Sequence, residues 1–414
     1  MRRAFKVEVQ PTPTQLQALL QHAGNARWAY NWGLAQHKAA YQQWVAEGKP
    51  AKWDGWLNAI GLHKDLNVLK KADPSMGGVP WMYEASKCAP QEALRDLDRA
   101  FGNFLSGRAK YPRFKSKSRG IGGFRLTGTI QVAQKTVQLP RIGRLRVKPG
   151  DHGHLPWGRH SAVCVTERAG RWFVSMVGPE IADAANNGLP AVGLDLGVAR
   201  LATLSNGQVI ENPKAMAAGR RKLAACQRSV ARKRKGSINR RKAKAKVAKA
   251  HARIANVRCD ALHKATTTLA NSHGRIVIED LRVKNMTAGG GKRGRKAKAG
   301  LNRVVLDAGF GTFRSMLEYK GRRFGCEVVA VAAAYTSQRC SVCEHVEKGN
   351  RTSQSRFCCL CCGHEANADL NAAKNILVAG SCPETENACG AGVRRGGPRV
   401  TSQPAVKQES AVAG

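Results

Sequence analysis

The sequence predicts a multidomain protein of mixed α/β and β architecture. A small antiparallel barrel with a helical insert comes first, and an α/β domain holding a four-cysteine metal site follows. Three observations predict it. Short apolar runs separated by turn residues recur from Gly123 to Val177. Helical periodicity runs from Thr14 to about Gly107 and carries six of the eight tryptophans. The second half holds two apolar runs that each contain an acid, and six of the thirteen cysteines crowd between Cys340 and Cys362.

In chain order, Phe5, Val7 and Val9 alternate with Lys6, Glu8 and Gln10 as a first strand. Pro11 to Pro13 breaks it, and Thr14 is placed to cap a helix with Leu16, Leu19 and Leu20 on its apolar stripe. Trp28, Trp32, Trp44, Trp53, Trp56 and Trp81 lie in this helical stretch. At helical spacing they read as core in preference to base-stacking platforms. The segment RAKYPRFKSKSRG is basic and broken by Pro112 and Gly120. Strand-like runs follow: 123–126, 129–132, 137–139, 145–148, 162–167 and 172–177. They form the barrel, joined by the first strand with the helices inserted between.

From Leu189, AVGLDLGVARLATLSNGQVI reads as a strand and hairpin turning at Asn206-Gly207. Asn212 is placed to cap a helix with Pro213 at its first position. Residues 214–258 then hold 17 Lys+Arg and no acid, divided into two helices at Gly236-Ser237. A block this basic repels itself unless it lies along phosphates. A strand spans 275–280, AGGGKRGRKAKAG (288–300) reads as a loose basic segment, a helix covers about 311–323, and a strand covers 326–331. Residues 383–414 read as a disordered tail.

Composition excludes whole classes. With 69 Lys+Arg against 28 Asp+Glu, the formal charge is +41, which calls for a polyanionic partner, nucleic acid first. A hydrophobic content of 43% excludes wholesale disorder. The start, MRRAFKVEVQ, lacks the apolar run of a secretory signal, and no run reaches the roughly 20 residues of a membrane span. Clustered cysteines then point to a metal site in a reducing compartment, the cytoplasm.

Cys340 and Cys343 form one knuckle. The second is ambiguous, because Cys358/Cys361 and Cys359/Cys362 are both C-x2-C pairs. Cys359/Cys362 is preferred, since Gly363 just after it permits the turn that aims backbone N–H groups at the sulfurs. Four thiolates make a closed tetrahedral zinc site, structural in role.

Acids are scarce, so acids in apolar strands stand out. Asp195 sits in VGLDLG, Glu279 in IVIEDL, and Asp369 in ANADLNAA at the start of a helix past the second knuckle. A buried charge is costly unless paired or metal-bound. Three carboxylates from two strands and a helix suit two Mg²⁺ ions about 3.5–4 Å apart, the arrangement for in-line phosphodiester displacement. Ion pairs and helix caps are the competing roles on residue type alone.

GLDLG, IVIEDL and TSQRCSVC…CCGHEANADLNAAKNI, in this order, resemble the three nuclease motifs and zinc ribbon of the TnpB/OrfB family of insertion-sequence proteins, relatives of type V CRISPR effectors. The resemblance extends to PTPTQLQALLQHAGNARWAYN, LDRAFGNFLSG…YPRFKSK and SINRRKAKAKVAKAHARIANVRCDALHK. It implies a WED-like barrel (1–10 and 111–190) with a helical recognition domain (11–110). It further implies a RuvC-like, RNase H-like nuclease domain (191–335 and 366–382) with an inserted zinc ribbon (336–365). Asp195, Glu279 and Asp369 map onto the catalytic, Mg²⁺-binding triad, and Cys340, Cys343, Cys359 and Cys362 onto the zinc ligands. Cys358 and Cys361 depart from the family pattern. The implied activity is RNA-guided endonuclease cleavage of double-stranded target DNA beside a short transposon-adjacent motif, with one copy per guide RNA from the transposon end. Arg113, Lys115, Arg240, Arg241 and Lys244 are candidate phosphate contacts by charge and position. Three alternatives stand beside it. One is a guided binder without cleavage, which the intact acids oppose. Another is a transposase, for which no tyrosine-nucleophile motif is seen. The third is a miniature type V CRISPR effector, which genomic context distinguishes.

Overall fold

A computed structural model describes residues 2–49, 57–150, 155–180, 182–289 and 294–381. Trp53, Trp56 and the 383–414 segment lie outside the described residues.

Strand β1 (Arg2–Gln10) leads into α1 (Pro13–Ala46), α2 (Ala59–Lys71) and α3 (Cys88–Leu105). The chain then returns as β2 (Gly123–Ala133), β3 (Thr136–Leu139), β4 (Gly143–Val147), β5 (Gly158–Arg168) and β6 (Arg171–Glu180). These six strands close a barrel in the order β1-β4-β3-β2-β5-β6. β1 closes it by pairing antiparallel with both β4 and β6, with Val7 opposite Val174 and Val9 opposite Trp172. The helices are thus inserted between the first and second barrel strands. Runs 123–126 and 129–132 are one strand. A register shift between Thr127 and Ile130, at the positive φ of Gly128, bends it to fit the closure.

Helix α1 begins two residues earlier than the cap at Thr14 suggests. Thr12 is the cap, in a reciprocal capping box with Gln15, and Pro13 occupies the first turn, where its missing N–H costs nothing. α1 packs on α3 closely enough that a Cβ at Gly33 would lie 2.9 Å from both Leu94 and Leu97.

The second half forms a five-stranded sheet in the order β11-β10-β7-β8-β9. Its strands are β7 (Ala191–Leu196), β8 (Arg200–Leu204), β9 (Val209–Glu211), β10 (Arg275–Glu279) and β11 (Glu327–Val331). β10 runs parallel to β7 and β11, while β8 and β9 complete an antiparallel meander. Between β9 and β10 lie α4 (Ala215–Ala231) and α5 (Ile238–Ser272). Between β10 and β11 lie α6 (Val283–Met286), α7 (Arg295–Ala308) and α8 (Phe310–Phe324). After β11 come β12 (Arg356–Cys358), β13 (Glu365–Asn367) and α9 (Ala368–Ser381).

Two expectations are corrected here. The 288–300 segment is not loose throughout: residues 295–300 open α7. Its Lys, Arg and Ala are good helix formers, and the helix is anchored through Val305 and Ala308. Nor does Asn212 cap α4. It accepts from the Lys214 N–H, and α4 starts later, where Asp307 of α7 accepts from the Met216 N–H. Asp307 also pairs with Arg258 of α5 at 2.8 Å, so one buried carboxylate ties three helices.

Strand alternation sorts the sheet's two faces. Val192, Leu194, Ile276 and Ile278 pack with Leu262 and Leu269 of α5 and Phe313 and Leu317 of α8. The intervening residues face α9. A Cβ at Gly193 would meet the Ala373 carbonyl at 2.2 Å, and one at Gly380 would meet Val277 at 2.4 Å. These two glycines let α9 lie directly on the sheet.

Candidate metal centre and acidic cluster

Alternation decides where the acids point. Asp195 follows Gly193, and Glu279 follows Val277, so both carboxylates stand on the α9 face at the C-terminal ends of neighbouring parallel strands. α9 runs back along that face, from Ala373 over Gly193 to Gly380 beside Val277. Its first turn, and Asp369 in it, therefore lies at the same end of the sheet. Asn367 starts the helix by accepting from the N–H groups of Asp369 and Leu370.

Asp195 senses both of the other carboxylates. Burial, then the charges of Glu279 and Asp369, push Asp195 up to about 7. Burial raises Glu279 as well, against the Thr336 hydroxyl, which donates to it at 2.6 Å. The counter-charge is Arg351, which pairs with Asp369 at 3.2 Å and lowers both other acids. Asp280, the second acid of IVIEDL, points elsewhere and pairs with Arg314. Carboxylates gathered where burial and neighbouring negative charge disfavour ionisation of Asp195 are an oxygen-donor set suited to a hard cation.

The ribbon lies between β11 and α9. Its two knuckles repeat one geometry. The Cys340 N–H donates to the His345 carbonyl at 2.9 Å, and the Cys359 N–H to the His364 carbonyl at 2.9 Å. The residue after each second cysteine has positive φ: 61° at Glu344 and 70° at Gly363. The sulfurs of Cys340, Cys343, Cys359 and Cys362 all lie within 4.8 Å of one another. Cys358 and Cys361 do not belong to this group. Among the described residues, this quartet is the group of three or more such ligands close enough to share one ion; the carboxylates stand farther apart. The soft donor set and the closed arrangement fit zinc.

Sequence reasoning missed the residues that join the two centres. Asn371 and Asn375 are buried on α9, and both donate to the Arg339 carbonyl at 2.7 Å. Asn371 also accepts from the Ser341 N–H inside the first knuckle. Asn350 is fully buried and bonds Gln338, His345 and Leu360 across the ribbon. An asparagine in NADLNAAKN carries no signal of this kind until its neighbours are known.

The candidate phosphate contacts divide. Arg113, Arg241 and Lys244 are exposed. Arg240 turns inward, donating to the carbonyls of Val230 and Lys233 at the end of α4. The Lys115 ammonium lies 3.8 Å from the centre of the Tyr30 ring.

Fold and site together define an α/β chain with a barrel, a cysteine-quartet ribbon and a half-buried acidic cluster. The same fold occurs in the Cas12f1 chain of a cryo-EM Cas12f1–sgRNA–target DNA complex. That chain superposes with a TM-score of 0.51 at 16% identity, covering 88% of this chain and 82% of that one. The chain belongs to the TnpB/OrfB family. A family model described as "Probable transposase" matches residues 172–289, one described as "Cas12f1-like, TNB domain" matches 310–376, and one described as "Helix-turn-helix domain" matches 1–44. That last stretch is here a barrel strand and the greater part of one continuous helix. The "Putative RNA-guided DNA endonuclease InsQ" of Escherichia coli K12 is 37% identical over 409 residues, 96% of each chain. A "Putative RNA-guided DNA endonuclease" of Streptomyces pristinaespiralis is 36% identical over 424 residues, 99% of this chain and 96% of the relative. No helix among the described residues is long and apolar enough to cross a membrane.

Proposed function

We propose that the chain is an RNA-guided DNA endonuclease of an insertion sequence. It cleaves target DNA beside a short transposon-adjacent motif through a RuvC-like site formed by Asp195, Glu279 and Asp369. The observation that carries this is the convergence of three carboxylates at one end of the sheet, with Asp195 pushed up to about 7 by burial and its two acidic neighbours. Asp280 and Asp307, by contrast, are taken up by Arg314 and Arg258, and neither adds to the charge acting on Asp195. Full-length relatives at 36–37% identity that carry the endonuclease name support the same reading.

The three carboxylates would hold two Mg²⁺ ions, and Cys340, Cys343, Cys359 and Cys362 one structural Zn²⁺. Bound Mg²⁺ supplies a lowered water pKa and charge neutralisation for hydrolysis of the phosphodiester. The chain's own part is positioning. Thr336 fixes the Glu279 carboxylate by its hydroxyl hydrogen bond, and Arg351 holds Asp369 and offsets the cluster's charge. The α9 asparagines lock the ribbon to the helix that bears Asp369. The basic faces of α4 and α5 hold the RNA and its heteroduplex with DNA by their phosphates, without reading sequence.

The test is purification from cells carrying the native flanks, sequencing of the bound RNA, and challenge of the complex with a plasmid library of randomised flanks plus Mg²⁺. The expected result is an RNA ending in a guide segment and depletion of plasmids that pair a matching target with one short flanking motif. No co-purified RNA, or cleavage indifferent to the guide, would refute the reading.

A further inference from the structure

Trp28, Trp32 and Trp81 do not behave as ordinary core tryptophans. Trp28 and Trp32, one helical turn apart on α1, are only partly buried and lie parallel, 6.1 Å between ring centres at an interplanar angle of 9°. Trp81, in the short 3-10 turn Pro80–Glu84, stands edge-on to Trp28 at 6.0 Å and 89° and is 43% exposed. The rings form a floor and a wall, lining a cavity of about 630 Å³. This falls in the size range of small-molecule sites.

The cavity does not end at the indoles. Arg27 lines it and also lines the adjoining cavity of about 320 Å³, whose other walls include Arg113 and Lys115. The basic segment is fixed there. Asn31 of α1 donates to the Lys115 carbonyl and accepts from the Lys115 N–H, both at 2.8 Å. Arg27 donates to the Ile121 carbonyl at 3.3 Å, which leaves its other N–H groups for a ligand. Among the described residues no carboxylate lines either cavity; Glu84 lies near the rim, engaged by Gln21. A purely packed aromatic cluster has no use for an open corner edged by guanidinium groups. A nucleotide does: aromatic faces take the base and cations take its phosphate.

We propose that the Trp28–Trp32–Trp81 corner is a stacking site for an unpaired nucleobase, with Arg27 and Arg113 holding the adjoining phosphates. The unpaired strand has two possible sources, RNA or single-stranded DNA. The site shares with the proposed function only the premise of nucleic-acid binding. Its test is therefore run in chelator, where cleavage plays no part.

Oligo(U) and oligo(dT) carrying a 5-iodouracil base, which photocrosslinks to stacked aromatics, are bound to the full chain and irradiated, and the crosslinked peptides are identified by mass. The expected crosslinks fall on Trp81 or on the α1 peptide bearing Trp28 and Trp32. Trp81→Ala abolishes the Trp81 crosslink and weakens single-strand binding about ten-fold. Trp81→Phe, which keeps an aromatic face, restores most of the affinity, and it also controls for misfolding through its melting temperature. Binding of a blunt duplex changes little. Preferential crosslinking of oligo(U) assigns the corner to RNA, and of oligo(dT) to an unpaired DNA strand. Crosslinks confined to α4 and α5, or equal losses for single strand and duplex in Trp81→Ala, overturn the proposal.

Discussion

Asp195 is the residue on which burial and charge weigh most. Its carboxyl is held at about 7 in the folded chain, above the ordinary 3.8, so ionising it is harder in the folded state than in the unfolded one. The stability linked to this group is present below pH about 4 and is lost as pH rises through about 7. In chelator, Asp195→Asn should therefore raise the melting temperature progressively from pH 5 to pH 8, by the equivalent of on the order of 2–4 kcal/mol at the upper end. A constant difference across that range would count against the electrostatic reading. Thr336→Val removes the hydroxyl from Glu279 at nearly constant volume and should lower cleavage about 10–100-fold while leaving RNA binding intact; parental cleavage rates would show that Glu279 needs no such support. Asp195 and Glu279 were legible because a charge inside an apolar strand is costly, and that cost asks for a reason. Thr336, Arg351 and Asn371 were not. They are ordinary polar residues in their local sequence, and only the return of the ribbon onto α9 brings them to the acids.

At the scale of the element, α9 is the part whose seating matters most. Gly193 and Gly380 remove the side chains that would hold it off the sheet. Gly193→Ala would place a methyl 2.2 Å from the Ala373 carbonyl, with backbone as the obstacle, so α9 must shift and carry Asp369 with it. Cleavage should fall by at least about ten-fold, with the melting temperature lowered by the equivalent of about 1–3 kcal/mol. Unchanged melting and cleavage would mean that α9 is not packed this way. Elements with a strong period were legible: the closing β1 strand, the sheet strands and the break at Gly236-Ser237. Where tertiary contacts supplied the cap or the anchor, sequence reading failed. α4 begins on the carboxylate of Asp307, from a helix far along the chain, and α7 forms beside glycines because Val305 and Ala308 have a core to enter. Arg240 belongs with these cases, since its charge marked it for phosphate while its position closes the end of α4.

For the whole molecule, the net charge of +41 and the acidic cluster are parts of one design. Exposed Arg and Lys on α4 and α5 set up a long-range attraction for phosphates, and in the proposed reading the three half-buried acids are the local exception that would hold cations. The ribbon joins the two by fastening its first cysteine knuckle to the helix bearing Asp369. Cys340→Ser should then lose the zinc and, with it, cleavage, whereas Cys361→Ser should keep both. One zinc per chain in Cys340→Ser by metal analysis would remove the quartet assignment. The most direct measurement of the central claim is made on one preparation of the RNA-loaded Asp195→Ala chain. Guide-matched plasmid is offered with Mg²⁺, and binding and cleavage are followed together. Binding at parental affinity with cleavage lost is the predicted result; cleavage at the parental rate would contradict the assignment of the acidic cluster as the cutting site.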